Sequence, residues 1–271
     1  LSYTNDKEAK QTFKHTFKNE RVTAKISLQK QDKETKKAVP QGDATLEKAV
    51  YGLYAREDIV HPDGATGAVY KAGEQVATLT TDKNGQASVD GLYLGNYYVK
   101  EITPPTGYLV DEEEHDLVCN YEGDLVAEVK RDCLSLEQVM KQPFQIIKAA
   151  NNGKTDADLL KGAGFTAYLV SSLKVNEDGS YDFDSAKPVV IGENGATEIF
   201  TDEKGYACSI AIPYGTYIVR ETTTPHNYTP VDDFIVQITE NHPSTPQVWR
   251  VMLDKAVSYT HLRAHETLRH L

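Results

Sequence analysis

An all-β chain of tandem antiparallel sandwich domains is predicted by three observations. Short runs alternate apolar and polar residues, Gly- and Asn-containing turns separate them about every ten residues, and the whole pattern is duplicated about 120 residues further on. The duplication is legible residue by residue. Thr81-Asp82-Lys83-Asn84-Gly85 matches Thr201-Asp202-Glu203-Lys204-Gly205, and Gly95-Asn96-Tyr97-Tyr98-Val99-Lys100-Glu101 matches Gly215-Thr216-Tyr217-Ile218-Val219-Arg220-Glu221. Pro105 and Tyr108 match Pro225 and Tyr228, and upstream the run ISLQK ending at Lys30 corresponds to FQIIK ending at Lys148. Repeats of this length are tandem domains rather than solenoid units.

The strands follow from period-two alternation. Ile26, Leu28 and Lys30 alternate with Ser27, Gln29 and Gln31, and Tyr97, Val99 and Glu101 alternate with Tyr98, Lys100 and Ile102. Asn84-Gly85 between two such runs is a hairpin signal. Helical signals are few: Glu47 to Ala55 and Asp156 to Lys161 have room for one turn each. Residues 1–21 read as the last strand of an earlier, truncated repeat, with Phe13, Phe17 and Asn19 on one parity. Residues 22–141 and 142–256 are the two full repeats, and Val139–Pro143 between them leaves little hinge freedom, so a rod-like array is expected. Residues 171–197 form a polar insertion in the second repeat. The tail 257–271, VSYTHLRAHETLRHL, breaks with the preceding composition and reads like the translation of a transposon adapter used in sequencing libraries. It is treated as an artefact outside the fold, with the natural protein continuing past Lys255.

Composition narrows the function. The chain has 271 residues, enough for two domains, and 29 basic against 40 acidic residues give a net charge of −11, which argues against nucleic acid or an anionic membrane as the main partner. No apolar run is long enough to span a membrane. Cys119, Cys133 and Cys208 lack paired-ligand spacing; the first two would either bridge neighbouring strands or pack as small hydrophobes. In HETLRH the histidines His265 and His270 are five apart, whereas HExxH needs four, so no zinc site is expected. Asn176, Asp178, Asp182 and Asp184 in the insertion miss the spacing of a calcium loop. No GxSxG, P-loop or dinucleotide motif occurs, and His61, His115, His226 and His242 are scattered on polar stretches. Neither turnover of an outside substrate nor a cofactor is expected.

The sharpest feature is charge on apolar faces. Lys30 shares parity with Ile26 and Leu28, Lys148 with Phe144 and Ile146, Glu101 with Tyr97 and Val99, and Glu221 with Tyr217 and Val219. A lone buried charge costs several kcal/mol, about 3–5 when its partner is missing, so each lysine should meet its glutamate or lose its charge. An ordinary buried ion pair, or a lysine that snorkels out at a strand end, would also satisfy the pattern. A third group follows from Val248, Arg250, Met252 and Asp254, which share parity in the last strand and would bring the Asp254 carboxyl towards Lys148 and Glu221. Burial favours a neutral, nucleophilic amine and a protonated acid, which together can form a Lys–Asp amide once, with loss of water.

The runs TTDKNGQASVDGLYLGNYYVKEITPPTGY and TDEKGYACSIAIPYGTYIVRETTTPHNY resemble the B-type repeat of collagen-binding adhesins, a unit also found in the shaft pilins of Gram-positive bacteria. The pattern YxVxExxxPxxY, present as Tyr97 to Tyr108 and Tyr217 to Tyr228, is similar to that family's E-box. The resemblance implies prealbumin-like, Ig-like sandwiches in a secreted, wall-anchored surface protein whose domains are locked by internal isopeptide bonds. It implies Lys148 as amine, Glu221 as catalyst and Asp254 as acyl partner, with Asn19 the acyl partner of the preceding domain. In the first repeat Lys30 and Glu101 match, while the acyl partner is left open between Asp132, Glu137 and none. Neighbours joined by sortase, and a host matrix protein or glycan, are the partners it suggests. A ligand-binding module without a crosslink is the competing reading; Trp249, Tyr181 and Phe183 would serve it.

Overall fold

The computed structural model describes residues 20–150, 158–252 and 260–262. The first repeat contains β1 (Thr23–Asp32), β2 (Val50–Ala55), β3 (Ile59–Val60), β4 (Ala68–Tyr70), β5 (Gln75–Thr80), β6 (Gln86–Leu92), β7 (Gly95–Thr103), β8 (Glu114–Cys119) and β9 (Glu128–Glu137). The junction strand β10 (Lys141–Gln142) leads into β11 (Phe144–Ala149), β12 (Gly164–Leu169), β13 (Lys174–Val175), β14 (Tyr181–Asp182), β15 (Glu198–Phe200), β16 (Tyr206–Cys208), β17 (Ile212–Pro213), β18 (Gly215–Thr223), β19 (Phe234–Ile238), β20 (Gln247–Met252) and β21 (Thr260–Leu262). Each repeat is a sandwich. Sheets β6-β1-β9 and β5-β2-β7-β8 face each other in the first, and β16-β11-β20-β21 and β15-β12-β18-β19 in the second.

The principal sheets pair antiparallel except where the first and last strands of each repeat meet. β1 runs parallel to β9 with Lys30 opposite Ser135, and β11 runs parallel to β20 with Lys148 opposite Val251. The alternation read from sequence is the alternation of burial: β1 buries Ala24, Ile26, Leu28 and Lys30, and β7 buries Tyr97, Val99 and Glu101. These faces close on Tyr51 and Leu53 in the first repeat and on Phe165, Ala167 and Phe234 in the second.

Four expectations are corrected. Residues 50–55 form strand β2 rather than a helical turn, because Tyr51 and Leu53 are drawn into the core while the strand ladders with β5 and β7. No helix covers 158–161; residues 151–157 are outside the described set. The Asn84-Gly85 turn does not close a hairpin, since β5 ladders with β2 and β6 with β1. Thr81 explains why: its hydroxyl accepts from Ala49 N at 2.9 Å and donates to Leu46 O at 2.7 Å, holding the end of one sheet while the chain crosses to the other. Thr201 does the same with Ala163 N and Leu160 O. Finally, β20 turns Trp249 and Val251 towards the core, where Trp249 packs on Phe234, and leaves Arg250 exposed; the parity of Val248 and Arg250 is not the inner one.

Cys119 and Cys133 are free thiols packed in the first core, and Cys208 is exposed. Asp178 and Asp182 cap turns of the insertion, accepting from Ser180 N and from Asp184 N and Ser185 N. Phe183 lies edge-on to Tyr168 and beneath Arg220, so the insertion is fastened to the sheet by its aromatics. Thr260–Leu262 adds to the edge of β20 through main-chain pairing, which any extended segment can make. No described helix is long and apolar enough to cross a membrane.

The joint between the repeats is built, not merely short. Tyr214 N donates to Met140 O and Met140 N to Gly107 O, both at 2.8 Å, while Asp43 accepts from Thr216 N at 2.9 Å and from the Ser171 hydroxyl. Glu34 accepts from Gln138 at 2.6 Å and pairs with Lys141. Under these contacts Ala44, Leu46, Tyr108 and Val139 form a small core against Tyr214. Tyr108 ends the first YxVxExxxPxxY run and is wholly buried there, whereas its counterpart Tyr228 is 40% exposed. Gly42 sits at φ +60° with its missing Cβ 2.2 Å from Tyr214 O, so any side chain would have to displace backbone. Gly42→Ala is expected to destabilise the joint by about 1–2 kcal/mol from the left-handed backbone alone. NMR alignment tensors measured separately on the two repeats should agree in the parent chain and diverge in the variant; unchanged agreement would show that this approach does not set the geometry.

Candidate functional site

Each repeat holds one lysine between its two sheets. Lys30 is supplied by β1 and Lys148 by β11, and both are essentially inaccessible to water. The turn of the TDxxG motif places each of them. Lys30 N donates to Gly85 O and Lys148 N to Gly205 O, both at 2.8 Å. A Cβ on Gly85 or Gly205 would come within 2.9 or 2.7 Å of the lysine carbonyl. The repeated glycines are therefore required by the closeness of this approach as well as by their positive φ.

The opposite sheet supplies the carboxylate. Glu101 on β7 accepts from Lys30 Nζ at 3.1 Å, and Glu221 on β18 accepts from Lys148 Nζ at 2.8 Å. A backbone amide ten residues downstream steadies each one: Asp111 N donates to Glu101 Oε2 at 2.7 Å and Val231 N to Glu221 Oε2 at 2.9 Å. Desolvation pushes the Lys30 ammonium down to about 8, against the pull of Glu101. The same burial raises Glu101. The pair is thus shifted towards neutral amine and neutral acid, the forms that nucleophilic attack and proton transfer need.

The first repeat holds a third group. Glu137 on β9 is buried, and its Oε1 contacts Lys30 Nζ directly and accepts from Tyr51 Oη at 2.5 Å and from Ser135 Oγ at 3.2 Å. Asp132, the other sequence candidate, pairs with Ser27 on the outer face and is exposed. In the second repeat Phe165 stands where β2 has Tyr51, and Val251 stands where β9 has Ser135. Glu221 Oε1 is buried there without a hydrogen-bond partner among the described residues. Asp254 and Asn19 lie outside the described residues.

Sequence reasoning missed Tyr51, Ser135 and Asp111. Ser135 and Glu137 do share the parity of Cys133, an available but weak signal; nothing local announces the Tyr51 hydroxyl or the Asp111 amide. Asp111, Glu113 and His115 offer ligand atoms within 4.8 Å of one another, the one such group among the described residues. Asp111 is already engaged by His115 at 3.0 Å and Ser135 at 3.3 Å.

Two sandwiches, each with a lysine on the first strand and a glutamate at the E-box, define a family. The prealbumin-like fold domain SpaA matches residues 24–132 and 143–250, and the chain belongs to that family. Among solved structures, the TIE protein of Bacillus anthracis aligns with 86% of this chain at 22% identity and a TM-score of 0.52, and the chain spans 34% of its length. The minor pilin GBS52 of Streptococcus agalactiae aligns over 87% of this chain and 99% of its own at 16% identity and a TM-score of 0.34. The shaft pilin SpaA of Lactobacillus rhamnosus GG aligns over 88% and 99% at 16% and 0.31. No curated protein matches significantly.

Removing one partner of a buried ion pair leaves the other charge uncompensated, at a cost of about 3–5 kcal/mol, whereas replacing both with apolar groups can be neutral. Glu221→Ala should therefore unfold at lower urea than the double variant Lys148→Met/Glu221→Leu, although neither can crosslink. Equal midpoints would mean that Lys148 sheds its charge or reaches water.

Proposed function

We propose that this chain is part of a structural stalk or adhesin of a Gram-positive cell surface, with each repeat hardened by a self-formed amide between first-strand and last-strand side chains. The observation that carries the reading is the repeated buried lysine–glutamate pair set beside the parallel pairing of first and last strands. In the second repeat the resemblance assigns the amide to Lys148 and Asp254 with Glu221 as proton carrier; the strand parity that also pointed to Asp254 is not the inward one in β20, so the assignment rests on the family pattern. Among the described residues Glu221 Oε1 has no hydrogen-bond partner, which leaves it open to an acyl group. The amine and acid are held in place by the fold, which removes roughly 7–11 kcal/mol of the barrier to a condensation that is very slow between free groups in water.

The consequence is mechanical. A chain pulled from its ends loads β11 and β20 in shear, and a bond between them lets force bypass the roughly one hundred residues in between. Closing a loop of that size stabilises the fold by about 4–5 kcal/mol by the chain-entropy argument used for disulfides. Attachment to neighbouring subunits through sortase, and wall anchoring, belong to the same reading. Adhesion to a host glycan or matrix protein is the weaker alternative, since of the two insertion aromatics Phe183 is taken up by Tyr168 and Arg220, leaving Tyr181 as the exposed one.

The denatured mass of the full chain tests this. Each amide formed from an amine and a carboxylic acid removes one water, about 18 Da. Glu221→Ala should restore one water and lower the melting temperature of the second repeat by on the order of 20 °C. Full mass in both proteins would sink the crosslink and leave only a buried polar pair.

A further inference from the structure

We propose that the first repeat closes on a glutamate: Lys30 Nζ condenses with Glu137 Cδ, with Glu101 carrying the protons and the Tyr51 and Ser135 hydroxyls holding the acyl oxygen. This rests on the reading that the repeats crosslink themselves and departs from the aspartate or asparagine acyl partner which that reading takes elsewhere.

Three observations support it independently. The first is register. Lys30 pairs with Ser135, so Glu137 lies one same-face step beyond it, roughly 6.6 Å along a strand that rises about 3.3 Å per residue. A side chain starting there must reach back, and glutamate has the additional methylene to do so. The second is the hydroxyl pair. Tyr51 and Ser135 both donate to Glu137 Oε1, and their counterparts Phe165 and Val251 have no hydroxyl, so among the described residues this pair of donors belongs to the first repeat.

The third is an accounting of lone pairs. Glu137 Oε2 is buried and has no hydrogen-bond partner among the described residues. A carboxylate with one unserved oxygen in an apolar interior is unfavourable. An amide at Glu137 keeps only one oxygen, which the two hydroxyls can serve, and its new N–H points from Lys30 towards Glu101.

The step balances with Lys30 as the neutral amine, Glu137 as the neutral acid and Glu101 protonated. The Nζ lone pair adds to Glu137 Cδ, giving a tetrahedral intermediate whose oxygen is held by Tyr51 and Ser135. Protonated Glu101 gives its proton to the departing hydroxyl as the C–O bond breaks, releasing water. The Glu101 carboxylate then takes a proton from Nζ and ends as it began. No oxidant, reductant or further reactant is needed.

The test is made on the full chain, denatured, digested and read by tandem mass spectrometry, with the closure time course followed on chain newly made by cell-free synthesis. The expected result is a branched peptide joining Lys30 to Glu137, lighter than its parts by about 18 Da. Glu137→Gln should still close, now losing about 17 Da because ammonia leaves in place of water. Glu137→Ala and Glu101→Ala should leave Lys30 free while the bond at Lys148 still forms. Tyr51→Phe should close about 100-fold more slowly, the loss expected for one oxyanion donor; an unchanged rate would overturn the role given to that hydroxyl. Lys30 found free, or joined to Asp111, while Lys148 is crosslinked would overturn the inference and leave the wider reading standing. Both lysines free would overturn the wider reading itself.

Discussion

Desolvation of the two buried lysines is the constraint around which both sandwiches are arranged. An ammonium group taken out of water costs several kcal/mol, and an apolar core returns nothing to it. Each lysine therefore needs a carboxylate from the opposite sheet, and that pairing ties the layers together at one end of the sandwich. The surrounding local structure serves this contact. The TDxxG turn brings a carbonyl against the lysine backbone, the strand carrying the glutamate delivers it from the opposite sheet, and the chain returning after the proline shared by both repeats offers an amide to the carboxylate, on the oxygen away from the lysine in the first repeat and on the same oxygen in the second.

The two repeats keep this scaffold and differ in what fills it. In the first, Tyr51, Ser135, Glu137 and Asp111 form a connected polar cluster around Lys30. In the second, aromatic and aliphatic side chains occupy the matching positions of Tyr51 and Ser135. A buried polar network is favourable only when its members are satisfied, so each added carboxylate must bring its own donors. That is why the hydroxyls and Glu137 occur together.

The polar cluster also adjoins the joint. Asp32, two residues after Lys30, is buried and accepts from Tyr108, Gln41 and the turn that follows it, and hydrogen bonding keeps its carboxyl below the usual range despite burial. Glu137 immediately precedes the segment that carries Val139 into the joint core and Lys141 to Glu34. The joint thus begins within a few residues of the Lys30 site. Gly42 and Gly107, pressed against Tyr214, allow the repeats to approach closely enough for Asp43 to cap the second repeat's backbone.

Much of this was legible in the residues themselves. Period-two alternation determines which side chains face inward in β1, β7, β11 and β18, because a pleated strand leaves no other choice once one face is buried. The duplication, the turn motif and the presence of lysine and glutamate on apolar faces follow from the same pattern. Strand parity misled at β20, where Val248 and Arg250 alternate as plausibly as Trp249 and Val251, and the contact of Trp249 with Phe234 decides the face. It was also silent on the crossing of residues 81–86 between sheets, because a turn sequence does not say which ladders its flanking strands will join. Convergence was the part only tertiary structure could decide: Lys30, Tyr51, Glu101, Ser135 and Glu137 come from four strands in two sheets, and their meeting depends on a parallel register and a sheet-to-sheet distance that no local pattern encodes.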